Sequence, residues 1–226
     1  MQDPYAAAKR AAGRAAADLV PSDCVLGLGT GSTVAFVLER LAERAATGLR
    51  IHGVPTSEAT AQRARALGLP LASLADVDRL HLTIDGADEI DPRGNMIKGG
   101  GGALLREKVV AAASDEMIVV VGDNKCVPHL GAFRVPIEVL AFGCRQVIAA
   151  IGRLSGQAQL RQRDGKPFVT DEGNWILDCD FGVIEDPGRL EGALDAIPGV
   201  VESGLFVGMA GRVLVGDRDG SFYVRP

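Results

Sequence analysis

The first 130 positions of the chain repeat one pattern, in which a short apolar run is followed by a polar turn and then by apolar residues at helical spacing. Runs rich in Val, Ile and Leu predict buried strands, and the spacing of Val34, Val37, Leu38 and Leu41 predicts an amphipathic helix. Strands that alternate with helices favour an α/β fold, here an open and mostly parallel Rossmann-like sheet flanked by helices. The predicted strands of this part are 24–28, 49–54, 80–84 and 117–121, and the predicted helices lie within 1–20, 34–46, 59–67 and 103–113.

The pattern changes near Gly131, where the elements begin to follow the order βαββαβ, which is typical of a ferredoxin-like unit. We therefore expect a smaller α+β domain over 131–206 and a larger, catalytic α/β domain over 1–130 plus 207–226. A hairpin over 212–225 is expected to return to the first sheet. The predicted strands of the smaller domain are 133–139, 158–163, 175–180 and 200–207, and its predicted helices are 143–154 and 187–197.

Composition and charge exclude several classes of protein. A hydrophobic content of 47% with 23% charged residues is that of an ordinary soluble globule, and a net charge of −5 gives no basic surface for nucleic acid. The cysteines lack CxxC spacing and the histidines are scattered, so neither a disulfide framework nor a metal site built from these residues is expected. The cysteines are Cys24, Cys126, Cys144 and Cys179.

Targeting segments are not expected either. Charged residues interrupt the alanines of the first helix, which argues against a signal peptide. No apolar run approaches the length of a membrane span. We therefore expect a cytoplasmic protein that does not bind membranes.

A run of four glycines, Gly99 to Gly102, lies between Lys98 and the start of a predicted helix. Without Cβ atoms, the amides of such a run can approach a negatively charged ligand at the helix N-terminus. Further along this helix, Glu107 has apolar neighbours at three- and four-residue spacing, and burial on such a face raises the pKa of a carboxyl group towards the range of a general base. The alternative is a flexible loop followed by a glutamate that pairs with a nearby cation. The apolar neighbours are Ala103, Leu104, Val110 and Ala111.

A second glycine-rich turn, GLGTGST at 27–33, follows the first predicted strand. A dinucleotide fingerprint would require glycine where Ser32 stands and an acidic residue at the end of the next strand, where 54–57 reads VPTS. We expect instead a monophosphate held by backbone amides and by the hydroxyls of Thr30, Ser32 and Thr33, with Ser32 or Thr33 as the helix N-cap. A turn that only joins strand to helix is the alternative.

Charged residues follow two further strands. Asp85 and Asp88, in the run DGADE, can bind a divalent metal, hold sugar hydroxyls or move protons, or they can be solvated surface residues. Lys98 and Lys125 can attract an anionic ligand, or can be ordinary surface lysines. All these stretches follow strands, and open parallel sheets bind ligands at the carboxyl ends of their strands.

Several runs together resemble ribose-5-phosphate isomerase of type A over essentially the whole chain. These runs are GLGTGST, DGADEID, IKGGGGALLREK, a strand ending in DNK, and IPGVVESGLF. The resemblance implies interconversion of D-ribose 5-phosphate and D-ribulose 5-phosphate in the non-oxidative pentose phosphate pathway. It also implies a homodimer that needs no metal and no cofactor.

By position, the resemblance implies that Glu107 is the general base that moves a proton between C1 and C2 through a cis-enediolate. Lys98 and the glycine amides would stabilise the oxyanion, while Asp85 and Asp88 would hold hydroxyls and assist ring opening or the proton shift between O1 and O2. Asn124 stands where the family often has serine, which bears on the contact at Lys125. The implied substrate-binding residues are Lys9, Thr30, Gly31, Ser32, Thr33, Asp85, Gly86, Ala87, Asp88, Lys98, Gly99, Gly100, Gly101 and Lys125.

Three other functions compete with this interpretation. A phosphosugar-binding protein without catalysis would keep GTGST and Lys125 but would not need Glu107. A phosphosugar deaminase or lactonase of related architecture would act on a different substrate. A nicotinamide-dependent dehydrogenase is disfavoured by Ser32 and by the missing acidic residue after the second strand.

Overall fold

The computed structural model describes residues 3–225; Met1 and Gln2, which fall within the predicted first helix, and Pro226 lie outside the described residues. The chain divides into two compact units. The first comprises Met1–Ala87, Arg106–Cys126 and Met209–Pro226, and the second comprises Asp88–Leu105 and Val127–Gly208. The second unit thus includes 88–105, which the sequence-based division assigned to the larger domain, and that division stays a prediction.

The elements follow the predicted order closely. The α-helices within 3–225 are α1 (Ala6–Asp18), α2 (Ser32–Ala46), α3 (Glu58–Ala66), α4 (Leu104–Ala112), α5 (Cys144–Arg153) and α6 (Pro187–Asp195). The strands are β1 (Cys24–Leu28), β2 (Ile51–Pro55), β3 (Leu82–Asp85), β4 (Glu89–Ile90), β5 (Met96–Ile97), β6 (Met117–Gly122), β7 (Val135–Val139), β8 (Gln157–Leu160), β9 (Gln162–Arg163), β10 (Lys166–Pro167), β11 (Trp175–Asp180), β12 (Val200–Ser203), β13 (Leu205–Phe206), β14 (Val213–Gly216) and β15 (Phe222–Arg225).

The first unit is built on a six-stranded sheet in the order β15-β14-β6-β3-β1-β2. Neighbouring strands from β14 to β2 run parallel, and β15 pairs antiparallel with β14. The open, mostly parallel sheet and the returning hairpin are therefore confirmed. Because β6, β3 and β1 are parallel neighbours, their carboxyl ends lie along one edge of the sheet.

Small residues allow α1 to pack closely in the first unit. Its alanines Ala12 and Ala16 are fully buried in the same core as Leu26 of β1 and Leu41 of α2. A Cβ atom at Gly13 would lie 3.0 Å from the carbonyl oxygen of Thr33. The alanine-rich sequence of α1 is thus explained by the short distance between its backbone and neighbouring elements.

The second unit contains an antiparallel four-stranded sheet in the order β12-β7-β11-β8. With α5 after β7 and α6 after β11, this is the strand order of a ferredoxin-like unit, as predicted. Val147 of α5 and Leu194 of α6 are fully buried in one core with Ile137 and Leu177 of the sheet. A small sheet, β13-β5-β4, also belongs to this unit and was not predicted, because two-residue strands are too short to show a period.

Three local predictions were wrong. Gly31, with φ 123°, is the N-cap residue of α2, so neither Ser32 nor Thr33 has this role. The strand predicted over 200–207 breaks at Gly204, where a Cβ atom would lie 2.4 Å from the carbonyl oxygen of Lys98. The strand predicted over 158–163 is interrupted at Arg161, whose side chain binds elsewhere in the second unit.

Candidate active site

Asp85 connects the two polar turns of the first unit. This carboxylate is fully buried at the end of β3, and its Oδ1 atom accepts hydrogen bonds from the amides of Thr30 (3.0 Å) and Gly86 (2.7 Å). A Cβ atom at Gly29 would lie only 2.1 Å from the same oxygen, so the carboxylate occupies the space that a larger residue would fill. The first glycine of GTGST, Gly29, is therefore required by the close approach of Asp85.

Thr30 is held by a cluster of hydroxyl groups at the end of β2. Its Oγ1 atom lies 2.8 Å from Thr56 Oγ1, donates to Ser57 Oγ at 2.8 Å and lies 3.2 Å from Thr60 Oγ1. Thr60 in turn donates to the carbonyl oxygen of Gly29 at 2.8 Å. The cluster fixes the conformation of the turn, and the role of Thr30 as a phosphate ligand stays a prediction.

The N-terminus of α2 has the features of an anion site. Gly31 and Ser32 are exposed and Thr33 is half-buried. The first amides of a helix have no acceptor within the helix, and its dipole places positive charge there. Lys9 of α1 adds a cation, because its Nζ atom donates to Ser32 Oγ at 2.9 Å and to Asp3 Oδ2 at 2.6 Å. The hydrogen bond from Lys9 lowers the pKa of the Asp3 carboxyl group.

Lys125 follows β6 in a one-turn 3₁₀ helix, Asp123–Lys125, and is half-buried. Since β6, β3 and β1 are parallel neighbours, Lys125 lies at the sheet edge that also carries Asp85 and the GTGST turn. Asn124, beside it, is exposed. The first unit thus brings together the residues assigned to the phosphate and one of the two aspartates.

Glu107 lies in the first turn of α4 and is 3% exposed. The four apolar neighbours named above are buried too, so the helix buries this face as the sequence pattern predicts. The remaining water contact is small, and a site with little water protects a reactive intermediate that forms beside the carboxylate. This environment suits a carboxylate that abstracts a proton from carbon.

Lys98 is a buried cation in the second unit, 2% exposed. Its amide donates to the carbonyl oxygen of Gly204 at 2.9 Å, and its Nζ atom lies 5.4 Å from the ring centroid of Phe206 on β13. A desolvated ammonium group over an aromatic ring is held by a cation–π interaction. Lys98 is therefore not an ordinary surface lysine.

The glycine run after Lys98 is a packed turn. Gly99 and Gly102 have φ angles of 96° and 87°, which L-residues with side chains rarely adopt. A Cβ atom at Gly99 would lie 2.8 Å from Leu104 Cβ, and one at Gly102 would lie 2.5 Å from Phe168 Cζ. The amide of Gly102 donates to the carbonyl oxygen of Gly99 at 3.0 Å. A flexible spacer does not need these conformations, so they favour a packed turn over that alternative.

Asp88 is joined to this turn. Its Oδ2 atom accepts a hydrogen bond from the amide of Gly100 at 2.7 Å, and a Cβ atom at Gly100 would lie 2.7 Å from its Oδ1 atom. The two aspartates of DGADE therefore have different partners. Asp85 holds the amides of Thr30 and Gly86 in the first unit, whereas Asp88 holds the glycine turn in the second.

Sequence reasoning missed two groups of polar residues. The hydroxyl cluster of Thr56, Ser57 and Thr60 was signalled by the polar end of the second strand, but a strand end alone does not predict what its hydroxyls bind. Arg161, which donates to carbonyl oxygens of the glycine turn, gave no signal in the polar run QLRQR. Its partners are distant in the sequence and meet it only in the folded unit.

Within residues 3–225, no group of three or more His, Cys, Asp or Glu side chains is arranged to hold a metal ion. The helices of this described part of the chain are also too short or too polar to cross a membrane.

The chain is similar to one family of known proteins over most of its length. Residues 52–220 match the family model of ribose 5-phosphate isomerase A (phosphoriboisomerase A). Ribose-5-phosphate isomerase A of Gloeobacter violaceus is 52% identical over 221 residues, which cover 96% of each chain. The structure of ribose 5-phosphate isomerase A from Methanocaldococcus jannaschii is 37% identical, with a TM-score of 0.91 and 96% of each chain covered.

A third similar protein is a D-ribose-5-phosphate isomerase solved in complex with phospho-erythronic acid. It is 38% identical to this chain, with a TM-score of 0.92 and 96% of each chain covered. Both sequence and fold therefore match over nearly the whole length. The chain belongs to the ribose 5-phosphate isomerase A family.

Proposed function

We propose that this chain interconverts D-ribose 5-phosphate and D-ribulose 5-phosphate through a cis-enediolate, in the non-oxidative pentose phosphate pathway. Membership of the family makes it an aldose–ketose isomerase. The observation that carries the assignment of residues is the buried carboxylate of Glu107, placed on α4 directly after a packed glycine turn. Isomerisation requires a base, a stabilised oxyanion and an anchor for the phosphate, and the chain has candidates for all three.

Glu107 is the general base of the proposed reaction. In the direction of ketose formation it takes the proton from C2 of the open-chain aldose and returns it to C1, while a proton moves from O2 to O1. No net proton is gained or lost, so the same carboxyl group is ready for the next turnover. Burial supports this role, since a site with little water protects the reactive enediolate.

Lys98 and the amides of Gly99, Gly100 and Gly101 stabilise the oxyanion that develops on the enediolate. The buried ammonium of Lys98 acts in surroundings with little water, where a charge interaction is stronger than in bulk solvent. The positive φ angle of Gly99 and its close contacts support a turn whose amides are oriented before substrate binds.

The phosphate binds at the N-terminus of α2, to the amides of Gly31, Ser32 and Thr33 and to hydroxyls of the same turn. Lys9 and Lys125 supply local positive charge for the phosphate, although the net charge of the chain is −5. The exposure of Gly31 and Ser32 and the contact of Lys9 with Ser32 support this assignment. Binding at the phosphate also orients the reacting carbons, which lie at the other end of the sugar.

The DGADE segment binds the hydroxyl groups of the sugar. Asp88, half-buried beside Gly100, assists ring opening or the proton shift between O1 and O2. Gly86 and Ala87 line the substrate through their backbone. Asp85 and Thr30 are part of the same binding surface. The hydrogen bond from the Thr30 amide to the Asp85 carboxylate supports a role in holding the two turns together.

The complex of a similar isomerase with phospho-erythronic acid supports this arrangement by its chemistry. That compound carries a phosphate at one end and a carboxylate at the other. The carboxylate carries its negative charge where the enediolate would develop its own. On the ground of the resemblance, we also propose that the chain forms a homodimer in the cytoplasm. It needs no metal or cofactor and binds neither nucleic acid nor membrane.

Isomerisation in D₂O, followed by NMR, tests the proposed function. We expect the purified chain to form D-ribulose 5-phosphate from D-ribose 5-phosphate and to incorporate solvent deuterium at C1, because a proton carried by a carboxylate exchanges with solvent. A phosphosugar-binding protein would bind the substrate without turnover, and that result would contradict the proposal. Formation of ketose with no deuterium at C1 would contradict the carboxylate route alone.

A further inference from the structure

Arg161 binds the backbone of the glycine turn. Its Nη1 atom donates to the carbonyl oxygens of Gly99 at 3.0 Å and of Gly100 at 3.2 Å. All these residues belong to the second unit. One guanidinium nitrogen therefore holds two successive peptide groups of the turn.

Asp178 fixes the guanidinium from its other side. Arg161 Nε lies 2.9 Å from Asp178 Oδ2, and Nη2 lies 2.5 Å from Asp178 Oδ1, so the pair is bidentate. The side chains are 15% and 25% exposed, which shields the pair from much of the solvent. Asp178 lies on β11, a strand paired on both sides, so the guanidinium is attached to a rigid part of the unit.

The carbonyl contacts decide where the amides of the turn point. The described residues contain no cis peptide bond, and in a trans peptide the N–H group points opposite to the C=O group. With the carbonyls of Gly99 and Gly100 on Arg161, the amides of Gly100 and Gly101 point away from it. The amide of Gly100 follows this rule, since it donates to Asp88. Gly101, whose amide comes next, is exposed.

A cation on the carbonyl oxygens also strengthens the amides as donors. A hydrogen bond accepted by the C=O group of a peptide polarises its N–H group, and a charged donor does so more strongly than a neutral one. The ring of Phe168 closes the same side of the turn, because it packs against Gly102 and lies 5.8 Å from the Arg161 guanidinium.

We propose that Arg161, held by Asp178, is a positioning residue of the isomerase, which orients and polarises the amide of Gly101 towards the enediolate oxyanion and keeps the amide of Gly100 on Asp88. This inference rests on the proposed function, because it concerns donors that the proposal assigns to the reaction. Arg161 does not touch the reacting atoms. It acts through the glycine turn.

Steady-state kinetics of Arg161→Lys and Arg161→Ala test the inference. A lysine retains the charge but has no planar fork, so its Nζ atom cannot serve Asp178 and two carbonyls together. We expect kcat to fall roughly 10-fold for Arg161→Lys and roughly 10²-fold for Arg161→Ala, with KM for D-ribose 5-phosphate changed less than about threefold. Guanidinium ion at low millimolar concentration should restore part of the kcat of Arg161→Ala.

Arg163→Ala is the matched control. Arg163 lies 4.6 Å from the ring of Phe168 and is exposed, and removing it takes away a cation of the same strand region. We expect its kcat to stay within about twofold of the parent and to be unaffected by added guanidinium. A kcat for Arg161→Ala within twofold of the parent, or a loss that guanidinium does not relieve, would overturn the inference.

Thermal unfolding of each variant shows whether a loss of kcat comes from misfolding or from lost positioning of the turn. If Arg161→Ala does not fold, Arg161→Lys and Asp178→Asn decide, and unchanged kcat in both overturns the inference. Glu107→Gln is measured alongside them. Loss of turnover there with full turnover in the Arg161 variants would overturn this inference alone, whereas a parent chain without isomerase turnover would overturn the proposed function.

Discussion

At several positions of this chain, the space around a residue restricts its side chain as strongly as the chemistry does. Gly29, Gly100 and Gly102 each face an atom that would lie within 2.7 Å of an added Cβ. Two of those atoms are carboxylate oxygens, of Asp85 and Asp88, so the acids come close to the backbone. The glycines and the carboxylates together shape the turns that we assign to the substrate.

Glu107→Gln is expected to lower kcat by roughly 10²–10⁴-fold, because an amide does not accept the proton from carbon. KM should change little, since we assign the phosphate to the N-terminus of α2 and not to Glu107. Steady-state kinetics check this, with Glu39→Gln on α2 as the control, a carboxylate whose partner is Arg63. Undiminished turnover in Glu107→Gln would remove this residue from its role.

Gly102→Ala is expected to destabilise the fold more than Gly48→Ala. Both glycines have positive φ, at 87° and 109°, and this strain costs about 1 kcal/mol in each variant. A Cβ atom meets nothing within 4 Å at Gly48 but would lie 2.5 Å from Phe168 at Gly102, and such overpacking adds about 1–3 kcal/mol. Urea denaturation measures the two free energies of unfolding. Equal losses would show that Phe168 moves away without cost.

Helices and strands here are positioned by how closely they approach each other. On α1, Ala8, Ala12 and Ala16 are buried, and a Cβ atom at Gly216 of β14 would lie 1.9 Å from the carbonyl oxygen of Ala8. Small residues on both elements permit this contact. It brings Lys9, the residue after Ala8, to the N-terminus of α2.

Ala16→Leu is expected to destabilise the first unit by about 1–3 kcal/mol, because a leucine has no room at a fully buried alanine between packed elements. Ala7→Leu, at an exposed position of the same helix, should change the free energy of unfolding by about 0.5 kcal/mol at most. Chemical denaturation of the two variants makes the comparison. A tolerated leucine at residue 16 would mean that α1 can shift away from its neighbours.

Sequence periodicity predicted the long elements well because their burial is regular. The strand 175–180 has the predicted bounds, and the strands before GTGST, DGADE and DNK lie side by side as expected. Short-range features were predicted less well. The strands β4 and β5 have two residues each, and the N-cap of α2 depends on the positive φ of Gly31, which no periodic pattern reveals.

The candidate site was predictable where a residue type alone indicates chemistry. The burial of Glu107 follows from its apolar neighbours on one helix. Arg161 could not be found in this way, since its contacts with Gly99 and Gly100 join segments about sixty positions apart. Neither the partner of an arginine nor the space beside a glycine is visible before the chain has folded.

The molecule as a whole is assembled from segments that alternate between its two units. The chain changes unit after Ala87, Leu105, Cys126 and Gly208. Two of these changes fall within DGADE and within α4, which are segments of the candidate site. Neither unit is therefore one continuous stretch of the chain.

Buried carboxyl groups give the stability of the whole molecule a pH dependence. Burial raises the pKa of the Glu138 carboxyl group, whose Oε1 atom accepts hydrogen bonds from Thr170 and Asn174. A folded-state pKa above the unfolded one gives stability that is fully present below the unfolded pKa and is lost as pH rises through the folded pKa. We expect Glu138→Gln, which stays neutral, to gain in thermal midpoint relative to the parent as pH rises from about 4 to about 8.

Glu116→Gln should show the opposite trend. The hydrogen bond from Arg212 lowers the pKa of Glu116, so its contribution is present above the unfolded pKa and is lost as pH falls through the folded one. Relative to the parent, this variant loses most at neutral pH and least in acid. Calorimetry measures both pH profiles relative to the parent. Slopes of the same sign for Glu116→Gln and Glu138→Gln would contradict one of the two assignments, and two flat profiles would contradict both.

The overlap between Gly29 and Asp85 has a consequence for how this chain can change over generations. An alanine at position 29 collides with the Asp85 carboxylate, which itself holds two turns. Functional variants selected from a library that varies only one of the two positions should therefore retain the parent residue there. A shorter residue at 85 would free the space but leave the amides of Thr30 and Gly86 without that acceptor. The residues at positions 29 and 85 therefore restrict each other's substitutions. Only a paired replacement that also supplies a new acceptor for the two amides can change both.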